Sequence, residues 1–222
     1  DEIERKGLLE DAFVSNTLVD MYARCGSLTK AQQIFDKLQV QDVISWTSLM
    51  SGYAQLGEHS NVVDSCKAML TEGIKPTLVT FTVVLTACSS SGLVNEGQMY
   101  FEYMTRKYGL TPDLEHYTCM INLFGCAGHF DKLMELIGQM PSSGYLPAWF
   151  ALLNACQRWG NVELAGLAFK HVIQLDEKSA WPYVCMNNIY TAAGMLKGIE
   201  KIKAMRIGNQ DMQLPKQLLD CL

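Results

Sequence analysis

The amino-acid sequence predicts an all-α protein, a right-handed α-solenoid superhelix of stacked helix-turn-helix repeats. Three observations indicate this fold. A glycine recurs at intervals of 31 to 36 residues, an aromatic residue stands eleven positions before it in five of six cases, and no segment shows the alternating pattern of a β-strand. The chain has 222 residues, of which 49% are hydrophobic, so it can bury a sizeable core.

The recurring glycines each stand between two predicted helices. They are Gly26, Gly57, Gly92, Gly128, Gly160 and Gly194. Eleven positions before them stand Ser15, Trp46, Phe81, Tyr117, Trp149 and Tyr183. An offset of eleven positions, with an aromatic residue in five of the six units, is too regular to be a coincidence. We therefore expect each glycine to end the first helix of its unit as a left-handed C-cap.

Each unit is predicted to contain two amphipathic helices. In the first helix, apolar residues recur at i, i+3, i+4 and i+7, as they do between Trp46 and Tyr53. In the second helix, they stand 2, 5, 9 and 12 positions after the glycine. One such hairpin cannot bury its apolar stripe alone, so the units should stack and form a long groove. Four prolines are expected between units, where a helix must stop: Pro76, Pro112, Pro141 and Pro147.

The charge balance does not by itself indicate a nucleic-acid partner. The chain carries 18 basic and 23 acidic residues, whereas non-specific nucleic-acid binding depends on neutralising phosphates. Residues 1–145 have a net charge of −7, and residues 146–222 have a net charge of +2. Near the C-terminal end, a cationic cluster forms either a solvated face or a contact surface for RNA or a partner: Lys197, Lys201, Lys203 and Arg206.

Motifs for catalysis, metal binding and membrane insertion are missing from the sequence. None of the four histidines begins a His-x-Glu motif, and the eight cysteines include no Cys-x-x-Cys pair. We therefore expect no enzyme activity, no catalytic residue, no metal, no cofactor and no small-molecule substrate. The longest uncharged run, 76–95, contains too many polar residues for a membrane span. Five cysteines are expected to be small buried hydrophobes: Cys25, Cys88, Cys119, Cys156 and Cys185.

Two families of helical-hairpin repeats fit the periodicity. The tetratricopeptide repeat is matched by the spacing of Trp46, Leu49 and Tyr53, and it would make the chain a helical scaffold for protein–protein interaction. Three features point to another family instead. The unit length varies, and two units end in Gly-Ile-Lys-Pro-Thr (73–77) and Gly-Leu-Thr-Pro-Asp (109–113). Residues 42–53 resemble a sequence pattern that is common in plant pentatricopeptide-repeat (PPR) proteins.

Further segments extend the resemblance to the PPR family. Residues 16–26 and 114–120 resemble its short repeats, and residues 80–88 resemble its long repeat. Segments that resemble the extension (E) domain of the RNA-editing members are 154–156, 160–164 and 188–194. The chain as a whole therefore resembles the C-terminal repeats plus E domain of a plant-type, PLS-class PPR protein.

The resemblance implies a division of the chain into repeats. Because the chain starts at Asp1 without an initiator methionine, we expect a fragment whose own targeting signal cannot be read. The implied segments are the end of a truncated long repeat (1–11), a short repeat (12–42), a standard repeat (43–77), a long repeat (78–113), a short repeat (114–145), the E domain with two PPR/TPR-like helical hairpins (146–216) and a tail (217–222).

The resemblance also implies which side chains contact RNA. In the family, the fifth residue of the first helix and the last residue of the repeat contact a base edge, and the second residue wedges between bases. The expected reader pairs are Asn16 with Asp42, Thr47 with Thr77, and Thr82 with Asp113. The corresponding wedge residues are Phe13, Ile44 and Val79. Without the resemblance, these polar residues would be ordinary first-turn helix residues facing water.

By resemblance, each pair carries a base preference. Asn16 with Asp42 favours uracil, Thr47 with Thr77 leans toward purines, and a terminal Asp such as Asp113 selects guanine, although long repeats are weak readers. The fourth set, Thr118 with Tyr145 and Glu115, fits no base. The implied function is sequence-specific binding of single-stranded organellar RNA in C-to-U editing, in a mitochondrion or chloroplast, with the extension recruiting a cytidine deaminase domain or an accessory editing protein.

Overall fold

Helices dominate the structure, a computed structural model that describes the backbone of residues 12–140 and 145–211 and the side chains of residues 13–140 and 145–206. These residues form twelve α-helices and no β-strand, so the predicted all-α class is confirmed. The helices are α1 (Ala12–Arg24), α2 (Leu28–Asp36), α3 (Val43–Gln55), α4 (His59–Thr71), α5 (Leu78–Ser91), α6 (Val94–Glu102), α7 (Leu114–Ala127), α8 (Phe130–Gln139), α9 (Leu146–Trp159), α10 (Val162–Leu175), α11 (Trp181–Ala192) and α12 (Leu196–Asp211).

The first helix of each expected repeat begins at the residue where that repeat is expected to begin: Ala12, Val43, Leu78, Leu114 and Leu146. The segments expected at 1–11 and 217–222, the last residues of the expected E domain (212–216), and Pro141 lie outside the described residues. Helix α6 continues directly into a single π-helical turn, Tyr103–Lys107.

Capping explains where α3 and α5 begin. Asp42, the residue before α3, accepts hydrogen bonds from the backbone N–H groups of Ile44 and Ser45, and the Ser45 hydroxyl accepts one from the Asp42 N–H. Thr77 and Thr80 form the same reciprocal capping box at the start of α5. Such caps satisfy N–H groups that the helix itself leaves unpaired. The last residue of each of these repeats therefore also caps the first helix of the next repeat.

The recurring glycines end the first helices as predicted. All six have positive φ angles, between 67° and 76°. Gly92 illustrates the geometry, since at φ 68° it caps α5 and its N–H reaches the Cys88 carbonyl. Residues with a Cβ adopt this left-handed conformation at an energetic cost, which is why glycine recurs there.

The chain divides into two compact units, residues 1–123 and 124–222. In the first unit, α1, α3 and α5 lie side by side, and each also packs on the second helix of its own hairpin. The core residues between them include Val19, Leu49, Val84 and Leu85, all fully or almost fully buried. Phe35 of α2 meets Trp46 of α3 edge to face, with ring centroids 4.6 Å apart.

In the second unit, α9 packs against α10 and α11, and α11 packs against α12. Trp149 stacks on His171 with ring centroids 3.9 Å apart, and Phe169 meets Tyr183 edge to face. In both units the residue eleven positions before the recurring glycine is buried, so the aromatic column belongs to the core. Both units are therefore built from stacked helical hairpins, as the periodicity predicts.

Two local predictions were wrong, and the predicted burial of Cys119 is only partly confirmed because this residue is half-buried. Cys25 is exposed, because it lies in the turn after α1, beyond the last buried residue of that helix, Ala23. Pro147 lies within the first turn of α9 rather than between helices; there its missing N–H removes no intrahelical hydrogen bond. In the described parts of the chain, no helix offers an apolar stretch of the length that a bilayer requires.

Candidate functional site

The first expected reader pair is in direct contact. The Asn16 side-chain amide donates to the Asp42 carboxylate, with Nδ2 3.2 Å from Oδ1 and 3.1 Å from Oδ2. Asp42 at the same time caps α3 through Ile44 and Ser45. The capped carboxylate holds the Asn16 side chain in place, and the Asn16 Oδ1 atom makes no hydrogen bond to any described residue.

The second reader pair is joined through a third residue. Thr47 and Thr77 each have their Oγ1 close to Oγ1 of Thr80, at 3.1 and 3.2 Å. The Thr47 hydroxyl donates to the Val43 carbonyl at 2.6 Å, so its single hydrogen is used there. Thr80 must then donate to Thr47, and Thr77 must donate to Thr80. This chain of hydroxyls leaves Thr47 as a hydrogen-bond acceptor only.

The third reader pair is joined in the same way, but through a histidine. His116 Nε2 lies 3.2 Å from Thr82 Oγ1 and 3.0 Å from the Leu78 carbonyl oxygen. His116 Nδ1 lies 2.6 Å from Asp113 Oδ1. The ring is fully buried, whereas about half of the Asp113 side chain is exposed.

The electrostatics of this cluster depend on Asp113. Burial alone would raise the pKa of the Asp113 carboxyl group. Hydrogen bonds from the backbone N–H and the ring of His116 outweigh burial, so the pKa lies below its ordinary value. Asp113 is therefore ionised at neutral pH, and it also caps α7 by accepting from the N–H groups of Glu115 and His116.

The expected wedge residues are exposed apolar side chains. Phe13, Ile44 and Val79 are 79%, 58% and 60% exposed. Each stands three residues before a reader, at 13 and 16, 44 and 47, and 79 and 82, so the two side chains lie on the same face of their helix. The structure thus brings each wedge residue beside its reader at one edge of α1, α3 and α5.

A cleft of about 280 Å³ lies between two of these wedges. Ile44 and Val79 line it together with the readers Thr47 and Thr77. The remaining lining residues are Asp20, Arg24, Val43, Ser48 and Ser51. The volume falls just below the range of drug-sized ligand pockets, which suits one small planar group such as a nucleobase.

Sequence reasoning missed three buried residues that contact the last residue of a repeat. Two of them, Thr80 and His116, also connect the two readers of that repeat. Ser45, Thr80 and His116 occupy the third position of α3, α5 and α7, and all three are fully buried. A signal for them was present in the sequence. Each stands three residues after the last residue of the preceding repeat, which is the spacing of a capping box. The Asp20–Arg24 ion pair beside the cleft, at 2.8 Å, was also missed.

The second unit carries apolar residues where the first unit carries readers. The residues equivalent to the readers, each directly after the buried aromatic residue of its helix, are Phe150 in α9 and Val184 in α11. Phe150 meets Trp181 edge to face, with ring centroids 4.9 Å apart, and both Trp181 and Val184 are partly exposed. Neither of these two side chains can hydrogen-bond to a base edge, so neither position carries an equivalent reader.

The cationic residues of α12 are all exposed, and among the described side chains none of them forms a salt bridge. At about 100° per residue, Lys197 and Lys201 share one face of the helix. Lys203 and Arg206 lie toward the other side. The four cations therefore form two pairs rather than a single patch. Within the described residues, no group of three or more His, Cys, Asp or Glu side chains is placed to hold a metal ion.

Comparison with family models identifies the repeats. A model of the PPR repeat matches residues 13–43, 79–108 and 115–145, and a model of the PPR repeat family matches residues 41–90. Together these matches cover more than half of the chain. They include α3 and α5, and α1 and α7 except for the first residue of each. All of the expected reader and wedge residues therefore lie within the matches except Asp113, which lies between two of them.

Curated relatives from Arabidopsis thaliana match most of the chain. The pentatricopeptide repeat-containing protein CRR2, named as chloroplastic, is 39% identical over 91% of this chain and 31% of its own length. A putative pentatricopeptide repeat-containing protein named as mitochondrial is 40% identical over 91% of this chain and 33% of its own length. The chain thus spans about a third of the length of these relatives.

Among solved structures, the chain is similar to PPR10 in complex with an 18-nt psaJ RNA element. The TM-score is 0.74, with 17% sequence identity, over 94% of this chain and 31% of that chain. The structure of PPR10 from maize gives a TM-score of 0.63 and 22% identity over 91% of this chain and 30% of that chain. At these identities the likeness establishes the helical-repeat fold alone.

Proposed function

Because the chain belongs to the pentatricopeptide-repeat family, we propose that it is a sequence-specific binding module for single-stranded RNA, with one base contacted per repeat. Three repeats contribute readers: Asn16 with Asp42 for uracil, Thr47 with Thr77 for a purine, and Thr82 with Asp113 as a weaker site for guanine. Phe13, Ile44 and Val79 separate the bases. The module binds RNA and does not transform it.

One observation carries the proposal: an exposed apolar residue and an ordered polar pair recur together along α1, α3 and α5. Exposing apolar side chains as large as Phe13 and Ile44 to water costs free energy, and a partner that covers them removes this cost. A base has apolar faces and a polar edge. It matches an apolar wedge with a hydrogen-bonding group one helical turn away.

The geometry of Asn16 suits uracil. Its amide offers one carbonyl acceptor and two N–H donors, and Asp42 engages the nitrogen end. The carbonyl oxygen then remains to accept a hydrogen bond from N3–H of uracil, and the amide nitrogen can donate to a uracil carbonyl. Asp42 acts as a clamp that presents the Asn16 amide in one orientation.

The second unit supports a finer proposal, that the chain belongs to a C-to-U editing factor. The residues equivalent to the readers are Phe150 and Val184 there, so this unit contributes contacts other than base reading. Lys197, Lys201, Lys203 and Arg206 are exposed on α12 and reverse the charge sign of the preceding repeats. We propose that this surface recruits a cytidine deaminase domain or an accessory editing protein, in a mitochondrion or chloroplast.

Charge neutralisation tests that surface. Because the four cations lie on two faces of α12, Lys197→Gln with Lys201→Gln and Lys203→Gln with Arg206→Gln should be compared as separate double variants. Recruitment of the deaminase or accessory protein in a pull-down should fall for the pair that contacts it, while RNA preference stays constant. If RNA preference changes while recruitment is unchanged in both variants, the assignment of this surface to partner recruitment is wrong.

A protein-binding scaffold of the tetratricopeptide type is the second candidate, and the net charge of −7 over residues 1–145 favours it. One titration separates the two. The chain at high concentration is titrated with short single-stranded RNAs while its backbone amide signals are followed by NMR. An RNA module should show shifts confined to α1, α3 and α5 that depend on the base. Gln33→Ala, an exposed change on α2, is the control and should leave the shifts unaltered.

A further inference from the structure

A buried polar residue contacts the last residue of each of these repeats from the following helix, but it differs chemically from one repeat to the next. Among the described residues, only four buried side chains are polar or charged, and three of them occupy this place: Ser45, Thr80 and His116. Each lies at the third position of the first helix in the following repeat. Burial of polar groups is costly, so their recurrence here calls for a role beyond packing.

His116 contacts the backbone of α5 and both readers. The Leu78 carbonyl oxygen, 3.0 Å from Nε2, can only accept, so Nε2 carries a hydrogen. Asp113 meets Nδ1 through its carboxylate Oδ1, at 2.6 Å, and through its backbone nitrogen, at 3.4 Å. The ring thus lies against Asp113 at one nitrogen and against Thr82 and Leu78 at the other.

This arrangement determines what the readers offer to a base. The Thr82 hydroxyl donates its single hydrogen to the Leu78 carbonyl at 3.2 Å. His116 Nε2, whose hydrogen is directed at the same carbonyl, lies 3.2 Å from the Thr82 oxygen. Thr82 is thus left as an acceptor. At Asp113, Oδ1 takes the hydrogen bonds from Glu115 and His116, which leaves Oδ2 as a second acceptor. Two acceptors, one from each reader, match a base edge that offers two donors.

We propose that His116 is the positioning residue that sets the base preference of the repeat at 78–113. It holds Thr82 and Asp113 as paired acceptors, and their natural ligand is the guanine edge, where N1–H and the N2 amino group stand side by side. Adenine offers one donor beside an acceptor, and so binds less well. This inference rests on the proposed RNA-binding function and adds a third determinant, contributed by the following repeat, to the two readers.

The preceding repeat provides a matched comparison. There Thr80 occupies the place of His116, caps α5, and connects Thr47 to Thr77 through hydroxyl groups alone. His116→Thr therefore keeps a residue that the fold already accepts at this position. It preserves the helix cap but removes the ring that reaches both Thr82 and Asp113.

The experiment is an NMR titration of the whole chain with RNA heptamers that differ at one nucleotide. The wild-type chain should prefer guanine to adenine at the nucleotide that shifts the amide signals of Thr82 and Asp113, by roughly 3- to 10-fold, as the net contribution of one hydrogen bond allows. His116→Thr should bring that ratio close to one, and uracil preference at Asn16 should stay unchanged. His116→Gln, which retains one side-chain N–H donor, should restore part of the guanine preference.

A transplant provides a second test if His116→Thr does not fold. Thr80→His combined with Thr77→Asp builds the same trio onto the preceding repeat, and guanine preference should increase at the nucleotide contacted by Thr47. This inference alone is overturned if the wild-type chain distinguishes bases but the guanine-to-adenine ratio stays unchanged in both His116→Thr and the Thr80→His, Thr77→Asp double variant. A wild-type chain that distinguishes no base at any position overturns the proposed function and this inference with it.

Discussion

The side-chain amide of Asn16 donates to the carboxylate of Asp42 at 3.1 and 3.2 Å, and the same carboxylate caps the helix that opens the next repeat. The two residues are 26 positions apart in the chain. One carboxylate thus combines a structural role with the orientation of a candidate reader, and substitutions at the two residues should separate these roles.

Asn16→Thr should alter base preference with little effect on stability. The substitution removes the amide, but Asp42 keeps its hydrogen bonds to the backbone of α3, so the free energy of unfolding should change by about 0.5 kcal/mol. Preference at one nucleotide should move from uracil toward guanine in the NMR titration. A large drop in melting temperature with an unmoved base preference would instead place Asn16 in the packing of α1.

Asp42→Ala should affect both properties. It removes the cap of α3 and the partner of Asn16, so we expect a loss of about 1 kcal/mol in the free energy of unfolding and a weaker uracil preference. The matched control is Asp64→Ala, which changes an exposed carboxylate on α4 with only a 3.7 Å contact to Lys67. Chemical denaturation measures the difference, and equal losses in the two variants would argue against the capping role.

Acid titration should reveal the contribution of Asp113. Its pKa is lower in the folded chain than in the unfolded chain, so its ionised form stabilises the fold. This stabilisation is complete above the ordinary carboxyl range and is lost as the pH falls through the lowered pKa. Asp113→Asn should therefore flatten the acid limb of stability against pH, whereas Asp64→Asn should leave it in place. Identical acid limbs in wild type and Asp113→Asn would contradict this assignment.

Gly52 should be essential for the packing of α3 on α1. A Cβ added there would lie 2.5 Å from the Cβ and 3.0 Å from the Cα of Ala23, so the helices would have to move apart. We expect Gly52→Ala to cost about 1–3 kcal/mol, as overpacking usually does. Gly166→Ala, in an open position on α10, should instead stabilise by roughly 0.5–1 kcal/mol. Thermal unfolding of the two variants should shift in opposite directions.

The chain by itself should bind RNA weakly. Base contacts contribute about 1–3 kcal/mol each, so the two dependable repeats give roughly 2–6 kcal/mol before the costs of association. Micromolar binding requires about 8 kcal/mol. The net charge of −7 over residues 1–145 weakens binding further. Fluorescence titration with random short RNA should yield no sub-micromolar affinity, and a tight complex would show that other surfaces contribute.

The periodicity was sufficient to predict the helical hairpins because helix formation and its termination are local. Glycines such as Gly92 and helix-starting residues such as Asp42 act within a few residues of the chain, through φ angles and unpaired N–H groups. The apolar spacing likewise identified buried residues such as Phe35 and Leu133. Burial of Cys25 was predicted wrongly because this residue lies just after the end of α1, where helical spacing no longer determines which side chains face the core.

The sequence by itself therefore determined the fold class, where the first helices begin and end, and where the candidate wedge and reader residues lie along each helix. Only the tertiary structure decided how the readers are connected. The contacts of His116 with Leu78 and Thr82 join residues more than thirty positions apart, and their hydrogen-bond directions depend on distances between α5 and α7. Spacing along a chain predicts which face of a helix a side chain occupies, but the distance between two helices depends on how their buried side chains pack.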